Sequence, residues 1–319
     1  MKKIFITGAS GFAGSFLAEY LTSKKDIVVS GTYLFENSLI NLEHIKNKIN
    51  LVHLDLIDGE KVTAVVASLK PDFIYHLAAL TSPKESYNDP SETMIINIKA
   101  QINLLEAVKK AKLKDTRILV VSSGEIYGAV SKKDLPINEN TVLKPTSPYS
   151  VSKITQDFLG LQYHLSYKLK IIRVRPFNHI GPRQSPAFVV SAFAKKIAEI
   201  EKNKREPVLS VGNLESARDF TDVRDMIKAY VLAVEKGKEG EVYNLGSGRS
   251  YKISEILDKL FSLSNVKIKI EIDKNLLRPT DIPDLVCDGA KFTKFTNWKP
   301  KIPIDVTLKD TLDYWRNII

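Results

Sequence analysis

The sequence has few of the features that define disulfide-rich, metal-binding or membrane-spanning proteins. Among its 319 residues there is one cysteine, Cys287, which excludes an internal disulfide and suits the reducing cytoplasm. The five histidines form no closely spaced cluster, so we expect no metal site. No run approaches the roughly 18–20 apolar residues of a membrane span, and the first apolar segment is too short for a signal peptide. We therefore expect a cytoplasmic protein with no membrane contact.

A formal net charge of +10 raises the question of nucleic acid binding. The lysines are spread along the chain, without the basic run and interleaved aromatic residues that such proteins use. We interpret Lys195–Lys196 and Lys202–Arg205 as solvated helix faces. The remaining functional interpretation of the charge is attraction of a polyanionic small molecule, such as a dinucleotide or a nucleotide sugar. We expect no nucleic acid partner.

Tyr149 and Lys153 are four residues apart, directly after Ser147 and Pro148. One helical turn separates them, so both side chains leave the same face of a helix. Ser147 suits the N-cap and Pro148 the first position, which places Tyr149 at the positive end of the helix dipole. Because an ammonium and a helix N-terminus both favour a phenolate, the pattern predicts a tyrosine pKa lowered from about 10 towards neutrality. Such a phenol can exchange a proton with a sugar hydroxyl or ketone.

A glycine-rich turn joins the first apolar segment to a helical pattern. The predicted strand Lys3–Thr7 is followed by Gly8, Gly11 and Gly14, and helical periodicity begins near Phe16. Gly8 permits a tight turn, Gly11 lets the backbone approach a pyrophosphate, and Gly14 permits close packing of helix on strand. The N-terminus of the helix then faces the phosphates. This strand–turn–helix order predicts a dinucleotide site.

Five further apolar segments predict strands, and helical patterns separate most of them. They are Ile27–Thr32, Asn50–Leu54, Phe73–Leu77, Arg117–Val121 and Ile171–Arg175. Alternation of strands and helices is typical of the α/β class, so we expect a parallel, doubly wound Rossmann sheet. Ligands of such sheets collect at the C-terminal ends of the strands, which makes the residues there the candidates for the site.

The acid expected for an NAD ribose at the end of the second strand is absent. Gly31, Thr32 and Tyr33 occupy that place, and Glu36 follows only later. No lysine or arginine stands there to bind a 2′-phosphate either. Because the missing carboxylate removes a repulsion, we favour NADP(H) as the cofactor, with NAD(H) as the alternative.

These motifs together resemble the extended short-chain dehydrogenases/reductases of the NAD-dependent epimerase/dehydratase family. The resemblance rests on the glycine turn, Asp55, Leu77–Ala79, Ser122–Ser123 and Tyr149–Lys153, and it covers essentially the whole chain. It implies that Ser123 and Tyr149 contact the reacting oxygen, that Lys153 holds the nicotinamide ribose and that Asp55 meets the adenine. The cofactor-binding residues that it implies are Gly8, Ser10, Gly11, Phe12, Gly14, Thr32, Asp55, Leu56, Leu77, Ala78, Ala79, Tyr149 and Lys153.

The C-terminal half is similar to GDP-sugar enzymes of this family. Arg218 and Arg278 can give forked hydrogen bonds to a diphosphate, and Asn178 can both donate to and accept from sugar hydroxyls. With Arg183, these residues are the substrate-binding candidates. The resemblance implies a dinucleotide-binding domain over 1–175 and a smaller mixed α/β lobe for a nucleotide-diphosphate sugar over 176–319, with segments around 220–250 returning to the first domain.

The two residues directly after Ser123 narrow the choice of reaction. A 4,6-dehydratase of the family carries two polar residues there, whereas this chain has Gly124 and then Glu125, a candidate catalytic carboxylate. A 4-epimerase retains NAD tightly, which the missing ribose acid disfavours. We favour a 4-ketoreductase similar to the GDP-4-keto-6-deoxy-D-mannose reductases, which make GDP-D-rhamnose; a stereochemical variant makes GDP-6-deoxy-D-talose. A redox-sensing binding module has no need of the serine, tyrosine and lysine together.

Two predicted helices carry apolar residues on more than one side. They lie around Met94–Ala111 and Pro148–Tyr167. In the family that the chain resembles, the equivalent helices form a four-helix interface between subunits. We therefore expect a homodimer.

Tyr20 and Lys24 provide an internal control, because they repeat the spacing of Tyr149 and Lys153 near the end of the first predicted helix. We expect Tyr149→Phe to lower the turnover number about 10²–10⁴-fold, the usual contribution of a positioned proton donor. Tyr20→Phe should leave it unchanged. Steady-state kinetics of both variants makes the comparison, and unchanged turnover in Tyr149→Phe would refute the catalytic assignment.

Overall fold

The computed structural model describes residues 1–277 and 280–319. Within these ranges the strands are β1 (Lys2–Thr7), β2 (Ile27–Tyr33), β3 (Asn50–His53), β4 (Phe73–His76), β5 (Arg117–Val121), β6 (Lys170–Pro176), β7 (Asn178–Ile180), β8 (Val208–Val211), β9 (Ala217–Asp222), β10 (Val242–Leu245), β11 (Ser250–Lys252), β12 (Lys269–Ile272) and β13 (Asp284–Leu285). The α-helices are α1 (Phe12–Thr22), α2 (Gly59–Leu69), α3 (Pro90–Lys110), α4 (Pro148–Tyr167), α5 (Val189–Glu201), α6 (Val223–Lys236), α7 (Ile253–Ser262), α8 (Ala290–Thr296) and α9 (Ile304–Ile318). None of these helices is long and apolar enough to cross a membrane.

Seven strands form a parallel sheet in the order β10–β6–β5–β4–β1–β2–β3. The chain starts in the middle at β1, winds outwards to β3, and then returns to β4 to build the other half. All six predicted strands form with ends shifted by at most a residue or two, and the doubly wound α/β fold is confirmed. The strand order reverses between β1 and β4, which is where sheets of this kind bind ligands.

Both faces of the sheet are covered, so its strands are apolar on both sides. In β1, Ile4 and Ile6 belong to a core with α1 and α6, whereas Phe5 points into a second core with α2, α3 and α4. Successive side chains of a strand point to opposite faces, so three consecutive apolar residues serve two cores.

A smaller lobe packs at one end of the large sheet. It contains α5, α7 and α9, a sheet in which β9 pairs with β7, β11 and β13, and the pair β8–β12. Its own core includes Phe193, Ile197, Leu257, Leu308 and Trp315. Between β9 and β11, the chain returns to the large sheet, because α6 packs on α1 and β10 pairs with β6.

The turn between β1 and α1 depends on glycine at two positions. Gly8 has a φ of +69°, in the left-handed region that glycine adopts without strain. A Cβ on Gly14 would lie 2.1 Å from the carbonyl oxygen of Gly8, so the first turn of α1 packs directly on the backbone of the loop. The helix can therefore start close to the end of β1.

Gly14→Ala tests this packing against Gly11→Ala. The alanine methyl at position 14 must displace backbone, and overpacking of this kind costs about 1–3 kcal/mol or more of unfolding free energy. Gly11 has extended backbone angles and a Cβ there would be 3.3 Å from the Gly8 oxygen, so its alanine variant should change stability far less. Chemical denaturation measures both variants, and equal stabilities would contradict the assigned role of Gly14.

Candidate active site

The ends of β1, β2 and β4 are tied together by hydrogen bonds around the glycine turn. The backbone NH of Gly8 donates to Thr32 Oγ1 at 2.9 Å, and the NH groups of Leu77 and Ala78 donate to Thr7 Oγ1 at 3.2 and 3.3 Å. Four of these residues are predicted cofactor ligands, and the structure brings them to one edge of the sheet. Thr7, which supports them, was missed by the sequence analysis.

The turn suits a dinucleotide phosphate. Helix α1 starts after Gly11, its N-cap makes no side-chain hydrogen bond, and its first turn has no acidic residue. Free NH groups at a helix N-terminus bind anions, so the NH of Phe12 can hold a pyrophosphate here, whereas the NH of Gly11 already donates to the Gly8 carbonyl at 3.1 Å. Phe12 also stacks on His179, with ring centres 5.8 Å apart, which connects the turn to β7 of the lobe.

Packing at the end of β2, where the acid for an NAD ribose is missing, leaves no space for a side chain at Gly31. A Cβ on Gly31 would lie 2.5 Å from the Cβ of Ala9, so no side chain fits at this position. A 3₁₀ segment, Glu36–Lys48, folds over the turn instead. Its Ser38 Oγ donates to Ser10 Oγ at 2.7 Å, and Asn41 Nδ2 donates to the Ser10 carbonyl at 2.9 Å. These polar residues after β2 are the sequence signal for the place where the adenosine of a dinucleotide is expected, and Asp55, two residues after β3, is exposed.

The predicted start of α4 is confirmed. Ser147 Oγ accepts a hydrogen bond from the NH of Ser150 at 3.1 Å, and Pro148 is the first helical residue. The NH of Tyr149 donates to Ser86 Oγ at 3.1 Å, which links this turn to the segment before α3. Tyr149 and Lys153 are both buried on the same face of the helix.

The predicted lowering of the Tyr149 pKa is wrong in this structure. Burial raises the pKa of the phenol, the hydrogen bond with Ser123 lowers it, and the negative charge of Glu125 raises it again. Burial has the largest effect because a phenolate loses its hydration there. Tyr149 is therefore protonated at neutral pH, which suits a proton donor.

Lys153 lies beside the tyrosine ring. Its Nζ is 6.0 Å from the ring centre and donates to the Val121 carbonyl at 2.9 Å and to Gln156 Oε1 at 2.8 Å. Burial lowers the pKa of Lys153 to about 7, so its charge changes near neutral pH. Ser122 Oγ donates to the Lys153 carbonyl at 3.0 Å, which fixes this helix turn against the end of β5.

Glu125 belongs to a 3₁₀ turn, Gly124–Tyr127, that follows β5 and is capped by Ser123. Ser123 Oγ accepts from the NH of Glu125 at 3.1 Å, and its hydroxyl lies close enough to Tyr149 to lower the pKa of the phenol. A Cβ on Gly124 would lie 3.0 Å from the buried Phe177 ring. The Phe177 ring therefore occupies the space that a side chain at position 124 would need.

A cavity of about 440 Å³ lies between this turn and the lobe. Glu125, Asn178 and Arg218 line it, so the structure brings these predicted site residues together. Arg218 Nη1 donates to the Ala217 and Ile282 carbonyls at 2.8 and 2.7 Å, and its Nε is 3.8 Å from Glu125 Oε1. A buried arginine held in this way presents a fixed positive charge to the cavity.

One predicted substrate residue, Arg183, is not part of this arrangement. Arg183 does not line the cavity; its guanidinium lies over the Phe16 ring at 4.5 Å and donates to Glu19 at 2.8 Å. Arg278 falls outside the described residues. Conversely, the prediction that Lys196 is on a solvated face is wrong, because it lines the cavity half-buried and donates to the Ser210 carbonyl at 3.2 Å.

Comparison with known proteins shows the family of this chain. Residues 5–311 match the family model of GDP-mannose 4,6 dehydratase. The chain is 33% identical over 316 residues to the GDP-6-deoxy-D-mannose reductase of Pseudomonas aeruginosa, covering 99% of this chain and 98% of the relative. The chain therefore belongs to the GDP-mannose 4,6-dehydratase family, within the extended short-chain dehydrogenases/reductases.

Solved structures show the same fold over the whole chain. RMD from P. aeruginosa complexed with NADPH has a TM-score of 0.86 and 31% identity, with 100% of both chains covered. UDP-glucose 4-epimerase from Thermotoga maritima, with UDP-glucose, has a TM-score of 0.88 and 26% identity, with 99% of both chains covered. Family members thus run different reactions on this scaffold, and the choice between them depends on individual side chains.

Proposed function

We propose that this protein is a nucleotide-sugar 4-ketoreductase that converts GDP-4-keto-6-deoxy-D-mannose into GDP-D-rhamnose or GDP-6-deoxy-D-talose with NAD(P)H. The observation that carries the proposal is the 3₁₀ turn after β5. It keeps Ser123 against Tyr149 but has Gly124, backed by Phe177, where a dehydratase of the family has a polar residue. The likeness to the P. aeruginosa reductase supports this assignment.

The side chains divide the chemistry of ketone reduction between them. When bound, the nicotinamide cofactor supplies the hydride. Ser123 donates a hydrogen bond to the C4 carbonyl oxygen, and Tyr149, protonated because it is buried, gives that oxygen its proton. The Lys153 ammonium lies on the same helix face and favours the phenolate that remains.

We propose NADPH as the preferred cofactor, with NADH as the alternative. Gly31 leaves no room for the carboxylate that would repel a 2′-phosphate, and the hydroxyl and amide groups of Ser10, Ser38 and Asn41 lie close by. The structural relative from P. aeruginosa was solved with NADPH. The remaining predicted cofactor residues, including Leu56 and Ala79, stay part of this proposal.

The fold match to UDP-glucose 4-epimerase makes 4-epimerisation the second candidate. An epimerase returns the hydride to the sugar and holds NAD throughout, whereas a reductase consumes reduced cofactor from solution. One equivalent of NAD released on denaturation of the purified protein would favour the epimerase.

The proposed function is tested by incubating the protein with GDP-4-keto-6-deoxy-D-mannose and either NADPH or NADH. We expect stoichiometric oxidation of the cofactor, faster with NADPH, and a 6-deoxyhexose product whose C4 configuration NMR identifies. Oxidation of neither cofactor would refute the reductase assignment.

Arg218 and Arg183 form a matched pair for the substrate site. Arg218→Lys keeps the positive charge but loses the paired NH donors of the guanidinium. Each hydrogen bond to a charged group that is lost costs about 1.5–3 kcal/mol of binding free energy. We therefore expect KM for the nucleotide sugar to rise about tenfold or more in Arg218→Lys and to stay unchanged in Arg183→Lys. The reverse result would place the diphosphate near α1.

We also propose a homodimer through α3 and α4. Val151, Phe158 and Leu165 are exposed at intervals of seven residues along α4, and Ile95 is exposed on α3. Such a stripe of apolar side chains on one helix face is typical of a helix–helix interface.

The single cysteine, buried and unpaired, accords with the cytoplasmic location that we propose.

Phe158→Asp tests the interface against Phe295→Asp. The two phenylalanines are 49% and 52% exposed, but Phe295 lies on α8, away from the stripe. We expect light scattering to give a monomer mass for Phe158→Asp and a dimer mass for Phe295→Asp. A monomeric parent protein at working concentration would refute the dimer.

A further inference from the structure

Gln156 connects the active-site lysine to the neighbouring helix. It is 1% exposed, its Oε1 accepts from Lys153 Nζ at 2.8 Å, and its Nε2 donates to the Asn97 carbonyl of α3 at 2.9 Å. Both ends of the amide are thus used, one on Lys153 and one on a fixed backbone group. An amide held at both ends has a defined orientation, so it presents its oxygen to the ammonium.

The carboxylate that follows Gln156 on α4 is used elsewhere. Asp157, the next residue along α4, is paired with both Arg173 and Arg175. The protein acceptors of Lys153 Nζ, the Val121 carbonyl and the Gln156 amide, are both neutral. Within the part of the chain that the structure describes, Lys153 is therefore a buried cation without a paired anion, which is costly unless hydrogen bonds support it.

The titratable groups that face Lys153 are His76 from β4 and Tyr149 from its own helix. Burial lowers the pKa of His76 to about 3, so this imidazole is neutral near pH 7. Burial raises the pKa of Tyr149, so the phenol is neutral as well. Neither group compensates the charge of Lys153, and the hydrogen bond that the ammonium donates to Gln156 Oε1 is the side-chain contact that stabilises it.

We propose that Gln156 is the positioning residue of Lys153: its amide oxygen fixes the direction of the ammonium, and its neutrality leaves that charge available to the phenol and to a bound cofactor. This role deepens the proposed reductase function and rests on it, because it concerns the lysine of the same site. A glutamate at this position would pair with the ammonium and compete for it. Among the described residues, the side-chain hydrogen bonds of Gln156 go to Lys153 Nζ and the Asn97 carbonyl, so Gln156 acts through Lys153.

A purely structural role for Gln156 would consist of joining α3 to α4. Gln101 provides the matched control, because its Nε2 donates to the Gln156 carbonyl at 2.7 Å across the same pair of helices. Gln101 is equally buried, and its described hydrogen bond reaches the backbone of Gln156 rather than Lys153. Gln101→Met therefore weakens the helix pair and leaves the lysine contact in place.

The direct test is NMR of protein labelled with ¹³C-lysine, in which Lys153→Met identifies the Lys153 Cε resonance and its titration is followed without substrate. We expect Gln156→Glu to raise the measured pKa of Lys153 by about 1–3 pH units, the effect of an opposite charge in contact. Gln156→Met should lower it, because an acceptor of the charged form is lost. Gln101→Met should leave it unchanged, and a pKa insensitive to Gln156→Glu would overturn the proposal.

The pH dependence of NADPH oxidation provides a second measurement. Because Lys153 acts as the ammonium, activity should be lost as pH rises through its pKa, later in Gln156→Glu and earlier in Gln156→Met than in the parent protein. If the NMR titrations shift as expected but the parent protein does not reduce the keto sugar, the positioning role stands and the proposed function fails. If turnover occurs with all pH profiles alike, the positioning role fails and the function stands.

Discussion

The burial of the first two turns of α4 is the constraint on which the active site depends. Ser147 caps the helix, Ser86 accepts the NH of Tyr149, and the helix packs against the ends of β5 and β6. Burial raises the pKa of the Tyr149 phenol, which stays protonated, whereas burial lowers the pKa of the Lys153 ammonium to about 7. The same desolvation thus keeps Tyr149 protonated as a proton donor and destabilises the charged form of Lys153. Hydrogen bonds from the ammonium to neutral acceptors therefore matter, because they stabilise that charged form.

A series of charged side chains leads from the 3₁₀ turn after β5 into the lobe. Glu125 faces Arg218, and Arg218 faces Asp281 with Nη2 to Oδ1 at 3.5 Å. A diphosphate entering the cavity would bring negative charge to an arginine already oriented by two carbonyl groups, which lowers the reorganisation needed on binding. Glu125 lies 3.8 Å from Arg218 Nε, and its negative charge raises the pKa of Tyr149.

The features predicted correctly from the sequence are those that depend on local patterns. The six strands, the glycine turn and the cap of α4 follow from periodicity and turn chemistry within short windows, and all of them form. The Tyr149 pKa was mispredicted because the helix dipole is visible in the sequence and burial is not. Tyr20 and Lys24 show the same limit of sequence-based prediction. They have the same spacing as Tyr149 and Lys153, but Lys24 is exposed and its Nζ lies over the Tyr20 ring, 4.4 Å from the ring centre.

Contacts between distant parts of the chain account for the other differences. Arg183 finds Glu19 on α1, 164 positions away, and this ion pair takes it away from the cavity. Lys196 lines the cavity because α5 packs over β8, which no charge pattern along the helix reveals. Gln156 is informative only once Asn97 of α3 is seen beside it. Side-chain roles of this kind follow from tertiary packing, so they require the structure.

Hydride transfer to the sugar carbonyl is the central claim, and deuterium follows it most directly. With NADPH deuterated at the transferred position of the nicotinamide and GDP-4-keto-6-deoxy-D-mannose, we predict a product that carries deuterium at C4 of the sugar in a single configuration. Oxidation of the cofactor should match the deuterium incorporated. A sugar product without deuterium at C4, formed while the cofactor stays reduced, would contradict the account.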